Sequence, residues 1–305
     1  MKQRNSLLLP LAGIGLGGWA LSRLIRHLRL GAAQGYFEGK VVVITGASRG
    51  IGRALAHAFA AQGANLVLAA RNERQLLDVA AECEAITPSI RALVVPTDVT
   101  VEAQLENLVN TALERLGRID ILVNNAGIIQ GGEFVALGRE SVRKQVEVNL
   151  LAVMRLTQLA LPAMLSQGEG HIVNMASAAG RHTVPYFVTY GTTKHGLIGF
   201  SEGLRRELAG TGVRVLSVNP GFTESDVVAA IRDTLRRMGF KILSPEYVAR
   251  RTLEAIILQQ PEVNIGLLET VGGWGSALFP RITDLFWRIV PPPDFAEKAA
   301  QQRTE

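Results

Sequence analysis

Two side chains four residues apart carry the first chemical signal, in the stretch Tyr190-Gly191-Thr192-Thr193-Lys194. On a helix Tyr190 and Lys194 share a face about one turn apart. A free phenol, with a pKa near 10, is a poor proton carrier at neutral pH. An ammonium ~6 Å away at an effective dielectric near 20 favours the phenolate by roughly 2.8 kcal/mol, enough to make the tyrosine a general acid or base. The second signal is Thr45-Gly46-Ala47-Ser48-Arg49-Gly50-Ile51-Gly52, which follows an apolar run and precedes a helical pattern. Glycines at such a turn leave room for the chain to bend and for a pyrophosphate to reach backbone N–H groups at a helix N-terminus. The Gly-x3-Gly-x-Gly spacing differs from the Gly-x-Gly-x-x-Gly of most dinucleotide sites, and a tight turn without a ligand is the competing reading. The second apolar run ends Leu68-Ala69-Ala70-Arg71 with no carboxylate, and Arg49 lies in the glycine turn. Two guanidinium groups suit a 2′-phosphate, so NADP(H) is expected over NAD(H), although Arg71 could equally be a solvated loop charge. In Thr97-Asp98-Val99, Asp98 either meets an adenine or caps the helix that begins near Val101.

These groups need a frame, and the chain from residue 40 onward supplies an alternating one. Lys40–Thr45, Asn65–Ala70, Ala92–Pro96, Ile119–Val123, His171–Met175, Val213–Val218 and Val263–Leu267 read as strands, nearly continuous in Val, Ile, Leu and Ala. Such runs belong to a parallel sheet buried on both faces. Helical patterns lie between them, near 50–62, 73–85, 101–116, 141–166, 190–210, 225–238 and 245–259. The alternation predicts an α/β fold: one doubly wound Rossmann-type domain over 36–269, with about seven parallel strands and helices on both faces. An apolar, basic segment (1–35) and a C-terminal amphipathic tail (270–305) flank it.

With the strands placed, further motifs fall at their ends. Asn124-Asn125-Ala126-Gly127 closes the fourth strand, Ser177 follows the fifth, Tyr190 comes thirteen residues later, and Asn219-Pro220-Gly221 closes the sixth. In this order, with the glycine turn, the chain resembles the short-chain dehydrogenase/reductase family over roughly residues 38–267. The resemblance implies hydride transfer between a nicotinamide cofactor and a carbonyl or alcohol. It implies catalytic roles for Ser177, Tyr190, Lys194 and Asn149: Ser177 hydrogen-bonding the substrate oxygen, Lys194 also holding the nicotinamide ribose, Asn149 supporting a proton relay. It implies cofactor contacts at Gly46, Ser48, Arg49, Gly50, Ile51, Gly52, Arg71, Asp98, Val99, Asn125, Ala126, Gly127, Tyr190, Lys194, Pro220, Gly221 and Thr223, and a homo-oligomer. Val184, Tyr186 and Phe187, between serine and tyrosine, and Phe222 after Gly221 are expected to line a substrate cleft with Ser177 and Tyr190. Their apolar character points to an apolar or bulky carbonyl compound, and the C-terminal tail resembles that of membrane-bound family members acting on steroid, retinoid or other lipid carbonyls, which implies a lipophilic substrate of that type. A 3-oxoacyl thioester reductase and a non-catalytic dinucleotide-binding scaffold are the alternatives.

Charge and composition narrow the partners. Of 32 basic and 27 acidic residues, Lys2, Arg4, Arg23, Arg26 and Arg29 account for the whole formal +5, leaving the rest neutral. A nucleic-acid-binding face is therefore not expected. The 18 uncharged residues from Asn5 to Ser22 would span about 27 Å as a helix, against a hydrocarbon core of about 30 Å. This segment reads as a membrane anchor, with an interfacial helix or a cleaved signal peptide as the other readings. Cys83, the sole cysteine, lies beside Glu82 and Glu84, which disfavour a thiolate. The histidines lack metal-ligand spacing, and no metal is expected. Gly272-Gly273-Trp274-Gly275 leads into an apolar stripe from Leu278 to Val290, expected to form one amphipathic helix of about fifteen residues. That helix would cover the cleft, pair with a second subunit, or rest on a membrane.

Overall fold

The computed structural model describes residues 30, 31, 33–290 and 295–300. The stretch 5–22, on which the anchor expectation rests, lies outside the described residues. Strands β1 (Val41–Thr45), β2 (Asn65–Ala70), β3 (Ala92–Pro96), β4 (Ile121–Asn124), β5 (Gly170–Met175), β6 (Val213–Pro220) and β7 (Glu262–Ile265) form one sheet. Its order is β3-β2-β1-β4-β5-β6-β7, parallel throughout. The predicted α/β frame is thus present, with small shifts at strand ends. Leu267, expected in the last strand, instead opens a helix, because Gly266 turns the chain at φ +126°.

Alternation along each strand divides the core between two faces. Val42 and Ile44 join Leu66 and Leu68 beneath α1 (Gly50–Ala60), α2 (Glu73–Ile86) and, after β6, α7 (Pro245–Ile257). Val41, Val43 and Val67 face the other way, onto α3 (Glu102–Leu116) and α4 (Arg139–Gln167). Helix α4 is long and apolar enough to cross a bilayer, but Leu156, Ala160 and Met164 pack into that second core, which accounts for its composition. Within it, Glu147–Leu151 forms a π turn. Helix α5 (Val188–Glu207) lies on the same face as α4, and α6 (Asp226–Arg237) follows β6.

The C-terminal tail departs from expectation. The glycine run lies inside a helix, α8 (Leu267–Leu278), and the chain breaks at Phe279 before α9 (Pro280–Ile289) begins with proline at its first turn. Proline has no N–H to continue α8 but suits a helix start, so the expected amphipathic helix is present as the ten-residue α9, and the glycine run expected to lead into it forms a helix of its own. A short α10 (Phe295–Ala300) follows. The boundary expected at 269 therefore falls within α8.

Candidate active site

The strand order reverses between β1 and β4, and the crevice beyond their C-terminal ends is where an α/β sheet takes a ligand. The glycine turn forms its floor. Gly46 has φ +66°, and a Cβ there would sit 2.9 Å from Ala126 Cα; at Gly52 a Cβ would fall 2.1 Å from Gly46 O. Gly50, at φ +56°, faces open space. Two glycines thus let the turn close against β4 and against itself, while the third leaves the approach to α1 clear. Arg49 gives α1 no side-chain cap and no acidic residue lies in its first turn, so its first N–H groups face the crevice with nothing anionic from that turn. Helix α2, by contrast, is capped by Asn72, whose Oδ1 accepts from Gln75 N at 3.1 Å. These features fit a dinucleotide pyrophosphate.

Asn125 faces the glycine turn. Its Nδ2 donates to Thr45 O at 2.9 Å and Gly46 O at 3.1 Å, and its N–H and that of Ala126 donate to Thr45 Oγ1. Its side chain therefore braces the glycine turn. At the adenosine end, Arg71 is exposed and lies near Asp98. Burial raises the Asp98 carboxyl, but hydrogen bonds from the Thr100 amide and hydroxyl, with Arg71 and Lys144 nearby, outweigh it and hold it below its ordinary value. Asp98 caps the turn before α3; α3 itself starts at Val101 without a side-chain cap. Thr223 sits past β6, bridging to Leu243, with its hydroxyl on Gly221 O at 3.1 Å.

The catalytic candidates meet beside this crevice. Ser177 opens a 3₁₀ turn, Ala178–Gly180, accepting from Ala179 N at 3.1 Å, and hydrogen-bonds Tyr190. Gly180 lets that turn rest on α5, since a Cβ would lie 2.7 Å from Lys194 O. Lys194 Nζ lies 5.7 Å from the Tyr190 ring centroid and donates to Met175 O at 2.7 Å. Asn149, in the π turn, exchanges two bonds of 2.8 Å with the Ile128 backbone and donates to Thr193 Oγ1. A Cβ at Gly127 would be 3.4 Å from Asn149 Oδ1 and 3.7 Å from Lys194 Nζ, so both groups face this glycine. π turns of this kind recur at functional sites.

The expected electrostatics need correcting. Burial pushes the Tyr190 phenol above its ordinary value, and the hydrogen bond with Ser177 draws it only part of the way back. Burial brings Lys194 down to about 8. Desolvation, not mutual attraction, dominates the pair, so the lysine loses its proton readily and the tyrosine keeps its own.

Asparagines that the motif reading left without roles align this machinery. Asn124 Nδ2 donates to Asn174 Oδ1 at 2.9 Å and to Thr157 Oγ1 at 3.2 Å, while Asn174 Nδ2 donates to Ser201 Oγ at 2.9 Å. This buried chain links β4, β5, α4 and α5. Its sequence signal was an asparagine at the same register on two adjacent strands.

Three of the residues expected to line the substrate cleft meet the tail. Phe187, Phe295 and Ala299 are buried together, with Ile129, Val184, Tyr186, Tyr190 and Trp287 packed around them. The Phe295 ring lies 5.9 Å from Tyr186 and 6.5 Å from Trp287. Gly131 admits α10, since a Cβ there would be 2.6 Å from Ala299 O. Tyr186 holds a left-handed φ of +69°, its carbonyl accepting from Gly132 N at 2.8 Å. Phe222 does not join them: α6 folds back after β6, and Phe222 packs 5.2 Å from Phe240 in a separate cluster with Val228 and Leu235. Trp287 Nε1 donates to His182 Nε2 at 2.6 Å, and the other His182 nitrogen bonds Ser276. Burial, with His195 nearby, lowers His182, which keeps Nε2 free to accept. No group of three metal-binding side chains occurs among the described residues.

Comparison with known proteins agrees with this geometry. The short chain dehydrogenase family model matches residues 40–236. The chain is 34% identical to ketoacyl reductase HetN of Nostoc sp. over 276 residues, covering 88% of this chain and 94% of that protein. It is 35% identical to uncharacterized oxidoreductases of Staphylococcus aureus over 226 residues, 74% of this chain and 94% of theirs. Among solved structures, a short-chain type dehydrogenase/reductase from Mycobacterium marinum superposes with TM-score 0.72 at 29% identity, covering 80% of this chain and 98% of that one. A variant of actinorhodin polyketide ketoreductase with NADPH gives 0.70 at 32% identity, covering 76% and 97%. A dinucleotide crevice beside a Ser–Tyr–Lys cluster, on a sheet that matches these proteins nearly end to end, places this chain in the short-chain dehydrogenase family, as an oxidoreductase that uses a nicotinamide cofactor.

Proposed function

We propose that this enzyme uses NADP(H) in preference to NAD(H) to interconvert a lipophilic carbonyl compound and its alcohol, at a membrane to which residues 1–35 attach it. The cofactor preference is supported by Arg49 and Arg71 and by the absence of a carboxylate at the end of β2. When bound, the nicotinamide supplies or accepts the hydride. In reduction, Tyr190 donates its proton to the substrate oxygen and Ser177 donates a hydrogen bond to it as charge develops. Lys194, Asn149 and the Thr193 hydroxyl hold that end of the site in register.

The observation that carries the substrate reading is the roof: the phenol that must meet the substrate is packed among Phe187, Phe295, Trp287 and Val184. Such walls favour apolar molecules, and small polar ones gain little from them. The test is NADPH depletion by the full-length protein over a panel of steroid, retinoid, long-chain and short polar ketones and aldehydes. Turnover confined to the short polar compounds contradicts the proposal. In the same assay Arg71→Glu is expected to raise the KM for NADPH by roughly 10- to 100-fold while leaving that for NADH nearly unchanged.

The likeness to a ketoacyl reductase favours a second reading, reduction of a 3-oxoacyl thioester. Faster turnover of a carrier-bound 3-oxoacyl group than of any free ketone would select it.

A further inference from the structure

Helix α9 is folded with its sides reversed relative to a soluble helix. The sides of Thr283 and Trp287 face the body, Trp287 being held by His182, and none of its residues is fully buried. The opposite arc, with the end of α8, presents Leu278, Phe279, Ile282, Leu285, Phe286 and Ile289 outward. Leu278 and Ile289 are each 70% exposed, Ile282 65%, and Leu267 at the start of α8 79%. The glycines of α8 explain why it sits so close to the body without covering this arc: Gly273 lies against Arg181, where a Cβ would be 3.1 Å from that side chain. A contiguous apolar surface of this kind marks an interaction site.

Its surroundings point to one occupant. Arg281 and Arg288, with Asp284 between them, lie along one flank of the arc, and Leu268 lies against Gly239, between Arg237 and Lys241. Those four cations, with Arg236, are exposed. An apolar arc rimmed by arginine and lysine complements an anionic bilayer surface, where rings and aliphatic chains enter the headgroup boundary and cations meet lipid phosphates. The chain outside the described residues agrees: its first 29 residues carry the 18-residue uncharged run and the whole of the excess positive charge.

We propose that the outer arc of α8 and α9 is a second membrane contact, which seats the roof of the substrate cleft on an anionic lipid surface. Through Trp287 the arc is continuous with Phe295, Phe187 and Tyr190, so a substrate dissolved in the bilayer enters the cleft without crossing water. The choice of occupant rests on the proposed attachment through residues 1–35, and the two contacts are measured separately.

The test uses the full chain with Ile289→Cys carrying an environment-sensitive nitrobenzoxadiazole probe, and a control with the probe at Leu77→Cys on α2, also exposed. Native Cys83 is buried, with its thiol pushed up to about 12, and stays unlabelled. Vesicles of phosphatidylcholine with phosphatidylglycerol are expected to raise the Ile289 probe's emission several-fold, with quenching by spin-labelled lipid, and to leave the Leu77 probe unchanged. Combining Ile282→Glu with the Ile289 probe is expected to abolish the response. Sedimentation with vesicles reports the N-terminal attachment independently. Protein that sediments with vesicles while the Ile289 probe stays unquenched overturns the second contact and leaves the first standing. A probe response that follows protein concentration without lipid overturns it in favour of a second copy.

Discussion

The two ends of the catalytic chain solve opposite problems. Between β4 and α5, polar groups lie inside and are held by partners: Asn124, Asn174, Ser201, Asn149 and Lys194 are buried, and each makes at least one hydrogen bond. In α8 and α9, apolar groups lie outside, exposed among the described residues. The first arrangement fixes a geometry, because an unpaired buried polar atom costs about 1–3 kcal/mol. The second leaves geometry to whatever it meets. On the proposals made above, catalysis falls in the rigid region and substrate access in the adaptable one.

Substitutions should separate the two regions by what they cost. Lys194→Met is expected to give the largest effect, a fall in kcat of about 10³-fold with the cofactor KM also raised, measured by steady-state NADPH oxidation. Asn174→Leu removes the middle of the polar chain and is expected to destabilise by roughly 2–4 kcal/mol, read as a lower denaturant midpoint, and to lower kcat through misalignment of Ser177. Phe295→Ala opens the roof: KM for a bulky ketone should rise about tenfold while a short ketone is reduced at an unchanged kcat. Ile282→Ser, at the other extreme, should change stability by less than ~0.5 kcal/mol, because the side chain is already in water. A large loss of stability there would show that the arc is covered within the protein itself.

The pH profile probes the rigid region alone. Lys194 gives up its proton near pH 8, and above that the Tyr190–Lys194 pair has one fewer proton to lend. The kcat/KM for carbonyl reduction should therefore fall as pH rises through about 8, and that for alcohol oxidation should rise. Profiles flat from pH 7 to 10 in both directions would contradict this account of the pair.

The contrast also governs what the sequence revealed. Strands buried on both faces leave continuous runs such as Val41-Val42-Val43-Ile44, and the glycine turn and Tyr190-x3-Lys194 have fixed spacing, so frame and catalytic cluster were legible. The polar braces were not, because Asn124 and Asn174 lie fifty residues apart and meet only through strand register. Phe222 follows the crevice in sequence but packs against Phe240 in space, a contact that spacing does not reveal. In the tail, the apolar stripe was visible but its orientation was not: periodicity does not say whether an arc faces a core or a solvent. The break at Pro280 and the return of Phe295 to the cleft depend on tertiary contacts with His182 and Gly131. The tyrosine's proton affinity was misjudged for the same reason, since spacing predicts a neighbouring charge but not the burial that outweighs it.

The most direct measurement is single-turnover reduction of a lipophilic ketone by Tyr190→Phe, with NADPH binding followed in parallel by fluorescence titration. The account predicts that reduction falls by at least about 10²-fold while NADPH affinity changes by less than about threefold, since only the proton donor is lost. Reduction at the wild-type rate, with NADPH bound, would contradict it.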